Sequence, residues 1–199
     1  MTYPYPLERL IENLTKLPGV GRKTATRLAF FLLNSGEAYI RELSQSIIDI
    51  KEKIKLCSTC FNITDSDPCE ICRDPKRDYS VLCVVEDPSH VMVMEQANPG
   101  VFKYHVLHGL INPLEGIGPE DIKIQQLIER VKTSPVSEVL IATNLNIEGN
   151  STAFYIADQL KSLNIKVTRI ASGIPAGGDI IYADPQTIKN SVENRKKII

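Results

Sequence analysis

Four of the five cysteines fall into two pairs, Cys57-x2-Cys60 and Cys69-x2-Cys72, with eight residues between them. Two such turns supply the four soft anionic ligands that a tetrahedral Zn2+ ion takes at about 2.3 Å. The intervening "NITDSDP" contains Asp67 and Pro68, turn residues able to bring the second pair back onto the first. Four sulfur ligands leave no position open for water, so one zinc ion per chain would support folding and carry out no reaction. A disulfide or free thiols are the alternatives; cysteines paired at this spacing, in a chain read as belonging to a reducing compartment, favour zinc. Cys83, inside the apolar "SVLCVVE" (80–86), reads as a small buried hydrophobe.

A second set of residues stands in "LPGVGRKTATRLAFFLL" (17–33). Gly19 and Gly21 lack Cβ atoms, so the backbone there can take positive φ and a phosphate can approach it closely. The helix that opens next has N–H groups without intrahelical partners and the positive end of its dipole, which together bind phosphate oxygens whatever the base. Lys23 and Arg27, four apart, share one helix face. Gly19, Gly21, Lys23 and Arg27 are therefore expected to hold a DNA backbone without reading its sequence. The plainer alternative is an ordinary helix–helix turn with solvated cations. The segment resembles the helix-hairpin-helix motif.

The third set is acidic. Glu86 ends an apolar run and precedes Asp87 and Pro88, suited to the cap and first turn of a helix. Glu86 is thereby predicted at the C-terminal edge of a parallel sheet, where such sheets bind ligands. The arrangement resembles the Toprim domain of topoisomerases and primases, in which a Glu and a D-x-D pair handle magnesium and phosphoryl transfer. Here "ATNLNIEG" has Asn144 and Asn146 where two carboxylates would stand, and neutral amides do not replace hard anionic Mg2+ ligands. Glu148 could join Glu86 and Asp87 in holding one ion weakly, but the two-carboxylate clamp is missing. No catalytic residue and no Mg2+ cofactor is expected. Glu86, Asp87 and Glu148 are read as an acidic patch for a basic partner protein, against the plainer alternative of a solvated loop and an N-cap.

The elements that must position these groups are legible as periodicities. Leu7, Leu10, Ile11 and Leu14 follow helical spacing, as do Ala25, Leu28, Ala29 and Leu32. Ile40, Leu43, Ile47, Ile50 and Ile54 mark a third, longer helix with Lys51, Lys53 and Lys55 on its polar side. Beyond the cysteines, "SVLCVVE" and "SEVLIAT" (137–143) are short β-branched runs typical of buried parallel strands. Further strands are predicted in "KYHVLHG" (103–109) and "KVTRIA" (166–171), alternating with helices over 88–96, 122–132 and 152–163. His105 and His108 read as core or surface histidines.

The 199 residues, 43% hydrophobic and 24% charged, can bury a core, and no apolar run approaches the ~20 residues that span a bilayer. The opening "MTYPYPLERL" lacks the pattern of a secretion signal, so a cytoplasmic location and no membrane contact are expected. A net charge of -1 argues against a uniformly basic nucleic-acid binder, yet the charge is unevenly placed. Residues 1–56 hold nine Lys and Arg against six Asp and Glu, and 185–199 hold four against one, whereas the middle holds ten against seventeen. The ends could meet phosphate; the middle would repel it.

Taken in order, the hairpin, the four cysteines, "VVEDP", "HGLINPLEGIGPEDI", "ATNLNIEG" and "GIPAGGDI" resemble the RecR family of bacterial recombination mediators over essentially the whole chain. The fold class implied is α/β: a helical helix-hairpin-helix region (1–56), a four-Cys zinc finger (57–72), a Toprim-like parallel-sheet domain (79–174) and a basic C-terminal tail (175–199) making subunit contact. The resemblance implies a non-enzymatic protein of DNA repair and recombination that assembles as a ring-like tetramer. Such a ring clamps single- and double-stranded DNA in the nucleoid-associated cytoplasm. It works with RecO, and in some bacteria RecF, to load RecA onto single strands covered by single-strand-binding protein. By position, the resemblance assigns DNA contact to Lys23 and Arg27, zinc to Cys57, Cys60, Cys69 and Cys72, and partner contact to Glu86 and Glu148. "GIPAGGDI" lacks the G-K-[ST] ending of a phosphate loop, so a turn or a subunit contact near Asp179 is expected there. The competing readings are a Mg2+-dependent nuclease or primase and a stand-alone zinc-dependent nucleic-acid binder.

Overall fold

The spacing of Leu7, Leu10, Ile11 and Leu14 folds as α1 (Tyr5–Leu14), packed on α2 (Arg22–Leu33). A computed structural model describes residues 3–197; Met1, Thr2, Ile198 and Ile199, the outermost residues of the regions 1–56 and 175–199, lie outside it. The chain divides into two units, Met1–Ile54 and Lys55–Ile199. In the first, Ile11, Ala25 and Ala29 are fully buried, ringed by Leu7, Leu10, Leu14 and Val20. The alanines place no bulk between the two helices, and an ion pair between Arg22 and Glu8 ties them at the surface. The third helix, α3 (Glu37–Lys53), has no buried residue, and Ile47 and Ile50 are each 62% exposed. Its apolar side, patterned for a core, is only partly covered: Ile40 and Leu43 are half-buried, while Ile47 and Ile50 face out.

The second unit opens with a hairpin, β1 (Lys55–Leu56) antiparallel to β2 (Ile63–Thr64), followed by the one-turn helix α4 (Glu70–Arg73). Then come β3 (Val81–Val85), α5 (Pro88–Ala97), β4 (Lys103–Val106), α6 (Ile124–Thr133), β5 (Glu138–Ile141), α7 (Ile147–Leu160), β6 (Lys166–Arg169) and α8 (Pro185–Glu193). The four longer strands form one parallel sheet in the order β4-β3-β5-β6. Side chains alternate across it: Leu82 and Val84 pack with α6 and α7, while Cys83 and Val85 pack with Val91 of α5 and with Phe61 and Ile71 of the cysteine module. Burial on both faces is why β3 reads as an unbroken apolar run. From β3 the chain goes to β4 on one side and later to β5 on the other, so the strand order reverses between β3 and β5. The crevice at such a reversal is where open α/β sheets bind ligands.

Three elements differ from the periodicities. The strands predicted over 103–109 and 166–171 end at Val106 and Arg169; in the first, His108 at φ 59° bends the chain out of extended geometry. Helix α7 begins at Ile147 rather than 152, because the Asn146 side chain caps it by accepting from Gly149 N at 2.9 Å. Gly149 is required at that place: a Cβ there would lie 2.0 Å from Asn144 O. Among the described residues, no helix is long and apolar enough to cross a membrane.

Candidate functional site

The β1–β2 hairpin holds the first cysteine pair and the start of α4 holds the second. Cys57 N donates to Asn62 O at 2.8 Å and Phe61 N to Cys57 O at 3.0 Å, closing the first turn; Arg73 N donates to Cys69 O at 3.0 Å, closing the second. The two turns are bound together where Ser58 N donates to Asp67 Oδ1 at 2.8 Å, a bond that holds the Asp67 carboxyl below its ordinary range. All four sulfurs lie within 4.8 Å of one another, and Cys60 and Cys69 Sγ are 3.5 Å apart. Tetrahedral Zn–S bonds of about 2.3 Å place sulfurs roughly 3.8 Å apart, so the donor set fits one zinc ion. Cys69 N donates to Cys57 Sγ at 3.3 Å, which stabilises a thiolate.

This module is fastened to the edge strand of the sheet. Val106 N donates to Cys60 O at 2.8 Å, and His108 Nε2 donates to Phe61 O at 2.6 Å. The Phe61 ring meets His105 edge-on at 5.3 Å between centroids. His105 is fully buried, with Nε2 donating to Lys123 O at 2.8 Å, so it is a core histidine.

In the first unit, Gly19 takes φ +78° and turns the chain between α1 and α2. The expectation that Gly21 also uses positive φ is corrected: Gly21 sits at φ −76°, ψ 165° as the extended N-cap of α2. A Cβ at Gly21 would meet nothing within 4 Å, so its missing side chain leaves approach room rather than permitting the bend. No side chain caps α2 and no acid occupies its first turn, which leaves its N-terminal N–H groups open to an anion. Lys23 and Arg27 are both exposed. Arg22, between glycine and lysine, is committed to Glu8, which raises its pKa.

The acidic residues separate. Glu86 leaves the end of β3 and its Oε2 accepts from Asn144 Nδ2, just past β5, at 2.9 Å. Glu86 and Glu148 share a cleft of about 360 Å³ with Asn112, Glu115 and Asn146. Asp87 does not line it; its Oδ1 accepts from Ser89 N at 2.9 Å and Ser89 Oγ at 2.6 Å, capping α5 and lowering its own pKa. Arg169, which nothing in the sequence pattern singles out, ends β6 with Nη2 donating to Asn144 O at 2.9 Å and Nη1 to Asn150 Oδ1. The edge thus carries an amide-bound carboxylate, a capping amide and an anchored guanidinium. A divalent cation would find Glu86 already bound by an amide and, after β5, the neutral amides of Asn144 and Asn146 in place of a pair of carboxylates. At the C-terminal segment, Asp179 Oδ1 accepts from Ile181 N at 3.0 Å and caps a short turn at Ile180–Tyr182.

Four family models match the chain: a RecR helix-hairpin-helix over residues 7–51, a RecR four-cysteine zinc finger domain over 54–74, a Toprim domain over 80–171 and a RecR C-terminal region over 173–196. The finger match and the sulfur geometry agree: Cys57, Cys60, Cys69 and Cys72 hold one structural zinc ion. The match over 80–171 makes the parallel-sheet region a Toprim domain, and Glu86 and Glu148 line one cleft within it.

Proposed function

We propose that this chain, which belongs to the RecR family, is a non-enzymatic mediator of recombinational DNA repair that grips the sugar–phosphate backbone of single- and double-stranded DNA without reading its sequence. The observation that carries this reading is the start of α2: an uncapped, acid-free helix N-terminus with Lys23 and Arg27 exposed and four residues apart, behind the turn at Gly19 and the open approach at Gly21. Backbone donors and mobile cations of this kind bind phosphate and release counterions regardless of base. The carboxylate edge supports a role without bond-making chemistry, since Asn144, Asn146 and Arg169 occupy it with amides and a cation. In this reading Glu86 and Glu148 offer their cleft, and Asp87 its exposed rim, to a basic partner surface. That partner is RecO, joined by RecF in bacteria that have it, and RecA is loaded onto single strands as the outcome. The work divides among region 1–56 for DNA, 57–72 for the metal, 79–174 for partner contact and 175–199 for contact within a ring tetramer, in the cytoplasm at the nucleoid.

The test is the double variant Lys23→Ala/Arg27→Ala, titrated against two unrelated DNA sequences at several salt concentrations. Affinity is expected to fall alike for both, and the salt slope to become shallower by roughly one for each phosphate no longer neutralised. Wild-type affinity and slope in the double variant would remove the hairpin from the account.

A further inference from the structure

Lys103 opens β4, the edge strand, and is only 1% exposed. Its Nζ donates to three backbone carbonyls of the cysteine module: Ile71 O at 2.7 Å, Cys72 O at 3.1 Å and Asp74 O at 2.7 Å. Three acceptors require the three hydrogens of an ammonium, since a neutral amine has two. The ring face of Tyr79 lies 4.3 Å from the same nitrogen. None of these partners is an anion. Asp74 contributes its carbonyl, while its carboxylate serves Lys76 N at 2.9 Å and Arg77 Nε at 3.4 Å. Among the described residues, no carboxylate pairs with Lys103.

A buried cation without a counter-charge is costly, and folds retain one when something of opposite sign is at hand. Four thiolates on one Zn2+ carry a net charge of minus two. The carbonyls that Lys103 holds belong to Cys72 itself, to Ile71 before it, and to Asp74 two residues beyond. We propose that Lys103 is the positioning residue of the zinc centre: its ammonium clamps the backbone of the second cysteine pair to the sheet and balances the charge of the metal-bound sulfurs. Lys103 then adds, to the contacts of the first pair with β4, a side-chain tie between the second cysteine pair and the sheet, so that release of the metal requires breaking a contact of β4 as well as the four bonds to sulfur. Outer partners of metal ligands commonly change metal affinity by about 10- to 100-fold when removed.

The test uses the full, zinc-loaded chain and follows zinc transfer to an excess of chromogenic chelator at 25 °C. Lys103→Met keeps the length and removes the charge and the donors; its release is expected to be at least tenfold faster than wild type. Leu127→Ala, in a core that includes no residue of the cysteine module, weakens the same unit away from the metal, and is expected to release zinc at the wild-type rate under folding conditions. A Lys103→Met rate equal to wild type, or an equal acceleration in Leu127→Ala, would overturn the proposal. Should Lys103→Met not fold, the half-exposed Tyr79 carries the test. Tyr79→Ala removes the ring beneath the ammonium and is expected to release zinc a few-fold faster than Tyr79→Phe, which keeps it; equal rates in the two variants overturn the proposal.

Discussion

His105 carries a proton-linked cost that its position in β4 makes measurable. Burial, reinforced by the charges of Arg130 and His108 and only partly opposed by the bond to Lys123 O, pushes its pKa down to about 3 from an ordinary 6.5. The folded state therefore keeps it neutral where the unfolded chain would take up a proton. Its contribution is complete above pH 6.5 and is lost as pH falls from 6.5 toward 3, at up to about 1.4 kcal/mol per pH unit. The depressed carboxylates Asp67, Asp87 and Glu95 also lose their contribution on acidification, but only below their ordinary values of 3.8 to 4.5. Between pH 6.5 and 5, wild type is thus expected to lose roughly 2 kcal/mol more than His105→Gln, which keeps a donor for Lys123 O without titrating. Urea unfolding of both at the two pH values checks this; parallel losses would mean that His105 titrates normally in the fold. At this scale the sequence was readable where one residue type has one use. The cysteine spacing, the Asp87-Pro88 cap and the strand-end place of Glu86 all came from such signals. Lys103, Arg169 and the bond between Asn144 and Glu86 did not, because each depends on segments tens of residues apart meeting in space.

Among elements, the order of strands and helices was legible because buried parallel strands must be continuously apolar and their covering helices amphipathic. The start of α7 was not. Gly149 lies in its first turn because the 144–146 loop folds back where a Cβ would stand. The four cysteines announced a metal site but not its place, which is along β4, the edge strand of the sheet. An uncovered edge is open to pairing with other chains, and here the finger supplies the cover, with Cys60 O accepting from Val106 N. Stripping zinc is accordingly expected to lower the thermal midpoint and to speed hydrogen exchange at Val106 N. Val84, in the central strand β3, should stay protected. Amide exchange of the metal-free chain decides this; unchanged protection at Val106 would show that the finger holds its place without the ion.

At the scale of the whole molecule, each unit leaves apolar surface uncovered in the single chain. In the first unit, Leu7, Leu10, Leu32, Ile40, Leu43 and Ile47 line an apolar groove of about 720 Å³. In the second, Ile180, Ile181 and Tyr182 are 61%, 80% and 87% exposed. Contiguous apolar surface of this kind marks association. A patch that meets its own copy across a two-fold axis gives a dimer, and two different patches of that sort on one chain close into a tetramer without open ends. Closure would also strengthen the DNA contacts proposed for Lys23, Arg27 and the backbone amides, since several weak grips on one ring act at high effective concentration. Light scattering of the wild type is therefore expected to give four times the 22.2 kDa of the chain. Ile47→Glu and Ile181→Glu alter side chains that are 62% and 80% exposed, so each chain's own core is untouched, and each variant should stop at half that mass. Their DNA affinity should fall by tenfold or more although Lys23 and Arg27 remain, because avidity and not the individual contact has been removed. A full-mass assembly in both variants, or a wild type with the mass of one chain, would place the grip in the single hairpin and leave the exposed isoleucines to another partner.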